Sequence, residues 1–381
     1  MERPSFSAAP TAAGAGPCRR RKAARALRLA AALLLIPAGC TSIGPGTVPR
    51  DRVDYSVAVA DSWKQQTLLN IVRLRYADAP TFMDVSSVIS AYAFQGQVAA
   101  GTGISTDRTT AVPYNLTNVG GNATYLDRPT ITYTPLSGDK FTKSLLRPIP
   151  PAAIFQLVQA GYPADFVLML TVRTLNGIAN RSVVGMLTRP ADPAFYPLLD
   201  ALRRLQLSGS VSLRLEKRGA DEVGHLIIAA ERSAAAKRDL MFVERTLNLQ
   251  PDKENEITIA FGAVPRSTSE LAVQSRSMLE ILLEVAAGID VPQDDIARGW
   301  TVPPARVASA PNPRDRPFVR VSASPQPPRN AFVAVRYHDS WYRIDEGDFQ
   351  SKRVFTFLLL FFSLAETGVT PQPPLLTLPV N

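Results

Sequence analysis

Residues 211–230 read VSLRLEKRGADEVGHLIIAA, and this stretch decides the fold class. Val211, Leu213 and Leu215 alternate with Ser212, Arg214 and Glu216, the period of a half-buried strand. Gly219-Ala220-Asp221 supplies a turn, and Val223 to Ala230 returns as a second strand. Upstream, Asp192 to Leu205 reads as a helix, with Asp192 as N-cap and Pro193 first inside. Downstream, Glu256 to Val264 is a further strand. Ser267-Thr268-Ser269-Glu270 has the form of a capping box opening a helix that runs to about Ala287 and stops at Gly288. Antiparallel hairpins interleaved with helices predict an α+β fold.

Further outward, residues 301–330 contain eight prolines and read as a linker. Strands at Phe318–Val321, Phe332–Tyr337 and Trp341–Ile344, with a helix from about Ser351 to Ala365, predict a small ββ(β)α C-terminal unit over 331–381. On the N-terminal side, Tyr55 to Tyr76 is an amphipathic helix. Trp63, Leu74, Ala60, Ile71, Val57, Leu68 and Val72 gather on the core face, and Gln65, Gln66, Asn70 and Arg73 lie opposite. Pro150-Pro151 starts a helix through Ala160, and the dense apolar run Phe166–Leu175 must be buried. Residues 85–134 are rich in Thr, Gly, Ser and Tyr and read as a long β-hairpin region. The main α+β domain is therefore expected over 53–300.

The leader sits outside this body. Arg19-Arg20-Arg21-Lys22 precedes the apolar run Leu29–Ile36, then Pro37-Ala38-Gly39-Cys40, the layout of a secretory signal over 1–39. The run is far shorter than the ~20 residues of a membrane-spanning helix. Residues 1–39 hold seven basic residues and one acid. Removing them from the chain's 42 and 33 leaves 35 basic against 32 acidic, a net of +3 rather than +9. Such a balance gives no electrostatic case for nucleic acid. Of the two cysteines, Cys18 goes with the leader, so the body beyond Cys40 has no thiol for a disulfide, a metal or a nucleophile.

Ile36-Pro37-Ala38-Gly39-Cys40 resembles a bacterial lipoprotein box, with Pro37 where an apolar residue such as leucine is usual. The resemblance implies that Cys40 is lipidated, with palmitate-type chains, and that residues 40–52 form an anchored tether. Thr41, not aspartate, follows the cysteine, which in Gram-negative lipoproteins implies the outer membrane, facing the periplasm. The run IGPGTVPRDRVDYSVAVADSWKQQTLLNIVRLRYADAPTFMDVSS (43–87) and the block PLSGDKFTKSLLRPIPP (135–151) resemble lipoproteins predicted from proteobacterial sequences. No activity is attached to that group, so no functional residue comes with the likeness.

Catalytic signatures are sparse. GxxxxGK[ST], HExxH and GxSxG do not occur. His225 reads as a sheet residue, His338-Asp339-Ser340 as a tight turn, and Asp345, Glu346 and Asp348 as acids ahead of a helix. Arg73, Arg75, Lys143 and Arg147 read as solvated cations that could also meet anionic envelope components. No catalytic residue, cofactor or metal ligand is assigned. The leading expectation is a non-enzymatic, lipid-anchored envelope protein that binds or scaffolds envelope protein partners. One alternative is an envelope hydrolase with a site near His338, Asp339 and Asp345. The other is an oligomeric export or pore component using the 85–134 hairpin.

Overall fold

The structure is a computed structural model that describes residues 43–89, 92–104, 115–127, 129–184, 187–218, 221–230, 232–304 and 312–365. The leader, Cys40 and the tail beyond 365 lie outside the described residues. Two compact units are present: one takes its described residues from Met1–Ser56 and Ile89–Thr130, the other from Val57–Val88 and Ile131–Asn381. The fold is α+β, as the hairpin at 211–230 predicts.

In the first unit, β2 (Tyr92–Ile104) and β3 (Asn115–Asp127) form a two-stranded antiparallel ladder in unbroken register from Tyr92↔Asp127 to Ile104↔Asn115. Helix α1 (Ile43–Arg75) begins in that unit and continues into the second.

In the second unit, α1 buries Leu68, Ile71 and Val72, as its periodicity predicts, while Trp63 is half-buried and Val57 and Ala60 are exposed. Asn70, placed by the sequence on the polar face, is fully buried. Its side-chain amide donates to the Thr81 carbonyl at 2.8 Å and accepts from the Thr81 N–H at 2.9 Å. One turn earlier, Gln66 does the same to Met83, at 3.0 and 2.8 Å. The helix thus offers two side-chain amides in place of a neighbouring strand to the chain entering β1 (Met83–Ile89), which pairs with β4 (Thr130–Pro135).

The short helix α2 (Gly138–Phe141) leads through a π-helical turn, Thr142–Leu146, to α3 (Pro151–Gln159) and α4 (Ala164–Thr171). The main sheet has the order β6-β5-β12-β11-β10-β9. Its strands are β5 (Val172–Leu175), β6 (Ile178–Ala179), β9 (Val211–Arg218), β10 (Asp221–Ile228), β11 (Glu256–Phe261) and β12 (Glu270–Ser275). Every neighbour is antiparallel except the four-pair β11–β12 ladder. Helix α3 lies across β9 to β12. Between β6 and β9 come the small ladder of β7 (Ser182–Val184) with β8 (Leu187–Arg189), and α5 (Phe195–Leu207). Helix α6 (Ala234–Leu247) packs beside α5.

Three helix starts differ from the sequence reading: α1 is already helical at Ile43 rather than from Tyr55, so the stretch expected as a tether is helix from Ile43 onward. Glu270 opens strand β12, and helix α7 (Met278–Ala287) starts later, where the Ser277 hydroxyl accepts from the Glu280 N–H at 3.2 Å. The sequence holds two Ser-x-x-Glu signatures ten residues apart, and burial of Leu271, Ala272 and Val273 between β11 and β5 selects the second. Asp192 caps nothing: its carboxylate accepts from the Ala179 N–H at 2.7 Å, and α5 begins after Ala194.

Past the short α8 (Gln293–Ala297), the sheet β13-β15-β14 and helix α9 (Phe349–Ala365) form. Its strands are β13 (Ser322–Ser324), β14 (Ala331–Tyr337) and β15 (Ser340–Asp345). These elements share the core of the second unit. The Phe357 ring meets Phe166 of α4 at 5.1 Å, and Phe362 meets Phe82 at 5.3 Å. The division between units therefore runs around residues 89–130, not through the proline-rich stretch.

Candidate functional site

Between the end of α7 and the start of α9 lies a cleft of about 550 Å³, walled by Gly288, Asp290, residues 315–318, Arg320, Asp348, Gln350 and Ser351. Its floor is charged. Arg276 follows β12 directly and is fully buried, the largest side chain in the molecule to be so among the described residues. Glu280 and Glu284 stand four and eight residues later, so they share its face of α7. Glu284 is buried and bridges two guanidiniums, Arg276 at 2.8 Å and Arg181 at 2.9 Å. Arg276 also donates to the Leu170 carbonyl at 3.2 Å and to the Arg181 carbonyl. Arg181 donates to the carbonyls of Asp315 and Arg316 at 2.8 and 2.6 Å and stacks over Phe318 at 4.1 Å. The Tyr196 hydroxyl donates to Asp315 at 2.6 Å.

A buried guanidinium loses several kcal/mol of hydration, which only close partners offset. Burial lowers the Arg276 pKa, against the pull of Glu284 and Glu280. Burial first, then the hydrogen bond to Asp315, raises that of the Tyr196 phenol. This network ties the end of the proline-rich stretch to the sheet. Gly288 allows the approach: a Cβ there would stand 2.7 Å from the Pro317 Cβ.

The rim carries the charge that a ligand would meet. Arg316 and Arg320 are exposed, with Asp290 and Asp348 beside them. Ser351 is committed to structure: its hydroxyl donates to Asp348 at 2.8 Å and accepts from the Arg320 N–H at 2.9 Å. Asp348 also accepts from the Ser351 N–H, so it caps α9. Burial opposes its ionisation, but these Ser351 bonds prevail and hold its pKa below the usual carboxylate range.

The residues named for the hydrolase alternative do not converge. His338 and Asp339 form the two-residue turn between β14 and β15, where Tyr337 pairs with Ser340, and both are exposed. Asp345 pairs with Ala331 at the other end of that hairpin, five residues from Ser340 or about 17 Å along the strand. Its carboxylate accepts from the Gly347 N–H at 2.8 Å, and Glu346 pairs with Lys352. His338 joins an aromatic group instead. Its ring stacks on Trp300 at 5.1 Å and lies 5.3 Å from Tyr76, whose hydroxyl donates to Asp295 at 2.5 Å. His225 sits in β10 opposite Thr258, 3.3 Å from Glu216. Among the described residues no group of three or more His, Cys, Asp or Glu is placed to hold a metal ion, and no helix is long and apolar enough to cross a membrane.

Sequence reading missed the Arg181–Glu284–Arg276 network because charged residues are ordinarily solvated. The available signal was Glu280 and Glu284 on the otherwise apolar helix MLEILLEVAA, at helical spacing from Arg276. A scan against family models, a search of curated proteins and a search of solved structures each return no match.

Proposed function

We propose that this chain is a lipid-anchored envelope protein, attached through Cys40 and facing the periplasm from the outer membrane, with a binding or scaffolding role toward envelope proteins. One observation carries the reading: a basic cluster, an apolar run and small residues precede Cys40 in the order that a lipoprotein signal requires. Two or three acyl chains make a stable anchor where a single chain binds only marginally. Helix α1 is described from Ile43, three residues beyond the proposed attachment point.

The cleft above Arg181 and Glu284 is the surface offered to a partner. Its buried charges compensate one another, and its rim presents Arg316 and Arg320 next to Asp290 and Asp348. A mixed-sign rim suits a polypeptide segment carrying both charges, and it sets orientation more than affinity. Ser351 has its hydroxyl occupied by Asp348 and the Arg320 amide, which supports recognition in this cleft rather than acyl transfer.

The test is mass analysis of the mature N-terminus together with palmitate labelling. A diacylated Cys40 as first residue is expected, with label and membrane flotation both lost in Cys40→Ser. An unmodified N-terminus, or label retained in Cys40→Ser, overturns the reading.

A further inference from the structure

The ribbon of β2 and β3 is the longest ladder among the described residues, at thirteen register pairs, and it is a sheet of only two strands. An isolated two-stranded hairpin is marginal in water at best, and each outer edge is a row of unpaired N–H and C=O groups. Something must complete it, and three features of the ribbon say what.

The first is pattern. Partners in an antiparallel ladder share a face, and the faces alternate along each strand. Register therefore places Tyr92, Phe94, Val98, Ile104, Val119 and Tyr125 on one face, with Thr102, Thr117 and Asn115 toward one end and Asp127 at the other. Gln95, Gln97, Asn118, Asn122 and Thr124 fall on the other, with Leu116 and Leu126 near its two ends. The middle of the first face, from Phe94 to Ala100 with their partners, carries only Phe, Tyr, Val, Ala and Gly, the other face is rich in uncharged amides, and Asp127 at the final position is the only charged residue of either strand. The second is length. Thirteen residues at ~3.3 Å span about 43 Å, or about 33 Å at a ~40° tilt, enough to cross the ~25–30 Å apolar band of a bilayer. The third is placement. Tyr92, Phe94 and Tyr125 cluster at one end of the ribbon, where barrels carry an aromatic girdle.

We propose that β2–β3 ribbons from several copies of this chain join edge to edge and close into a membrane-spanning β-barrel, with the Phe94/Val98/Val119 face toward lipid and the Gln95/Gln97/Asn122 face toward a water-filled interior. The free edge of β3 in one copy pairs antiparallel with the free edge of β2 in the next, so each copy adds two strands and the count is even. Closure removes both edges. At least about four copies are needed, because the smallest closed barrels have ~8 strands. The idea stands on the ribbon alone and does not require acylation at Cys40.

The full chain carries cysteine only at 18 and 40, so replacing both with serine allows single reporter cysteines. It also separates this test from that of the anchor. An environment-sensitive fluorophore is attached at Val98→Cys, Ala100→Cys, Gln97→Cys or Ala99→Cys, and the chain is reconstituted into phosphatidylcholine/phosphatidylglycerol vesicles. Expected are blue-shifted emission and several-fold stronger quenching by lipid-borne quenchers at 98 and 100, with water-like emission at 97 and 99. Native mass measurement of the unsubstituted chain in mild detergent should give a closed oligomer. Equal emission at all four positions overturns the proposal, as does a strictly monomeric chain, whichever of the two is found. As a check independent of labelling, Val98→Arg should abolish vesicle insertion while Gln97→Arg retains it; equal behaviour of the two also counts against the barrel.

Discussion

Replacing Glu284 with glutamine removes the carboxylate shared by Arg276 and Arg181 while keeping nearly its shape. Two guanidiniums with side chains at 0% and 3% exposure would then face each other with their common counter-charge gone. Breaking a buried ion pair from one side costs ~3–5 kcal/mol, most of it the uncompensated charge left behind. For a body of this size that is a fall in Tm of about 6–10 °C, at roughly 2 °C per kcal/mol. Glu280 provides the internal control. It lies one turn earlier on the same face of α7, pairs with Arg173 at 2.7 Å, whose side chain is 46% exposed, and reaches Arg276 only at 3.9 Å. Glu280→Gln should cost ~1 kcal/mol or less, since exposed pairs gain little against water. Urea and thermal unfolding of both variants beside the parent chain give the comparison. If Glu284→Gln costs no more than Glu280→Gln, the buried network does not hold the cleft floor in the way argued above.

Asn70→Ala should cost ~1–3 kcal/mol, because the Thr81 N–H and C=O lose their partner where Asn70 is fully buried. Gln66→Ala, at a more exposed pair, should cost clearly less in the same denaturation assay. Gly288→Ala should destabilise by ~1–3 kcal/mol, since the added methyl meets Pro317 below van der Waals contact; a neutral outcome in thermal melts would mean that residues 315–318 move aside at no cost. Asp348 has a folded pKa below the ordinary carboxylate value. Its contribution is complete above the unfolded pKa of ~3.9 and fades as pH falls through the folded value. Asp348→Asn should therefore flatten the loss of stability below about pH 4 in urea melts taken between about pH 6 and 2.

Local pattern was sufficient where a segment's environment is set by its own neighbours in sequence. Leu68, Ile71 and Val72 at helical spacing marked the buried side of α1, and the alternation of Val211, Leu213 and Leu215 marked β9. Reading failed where a distant partner decides. Asn70 looks solvent-facing until Thr81, eleven residues on, needs both of its backbone groups satisfied. Ser267 and Ser277 carry equal capping signatures, and only the pairing of 270–275 with β11 and β5 separates them. The cleft was illegible for the same reason, as Arg181, Arg276 and Asp315 come from three separate parts of the chain. The apolar middle of one ribbon face became visible only once register was known, because β2 and β3 are each too rich in glycine and alanine for either to declare a period alone.

The amides of Gln66 and Asn70 have a consequence for how β1 finds its place. Four residues of helix rise about 6 Å, and two residues of strand advance about 6.6 Å. Positions 66 and 70 of α1 can thus be matched only to positions 83 and 81 or to a pair displaced along the strand. A slip of one residue toward the N-terminus would bring Pro80 opposite Asn70, and proline has no N–H to give. A slip of one the other way would turn Phe82, buried in the core just ahead of β1, toward the opposite side. Helix α1 therefore acts as a ruler with two marks, and Pro80 as the stop against which the strand is set.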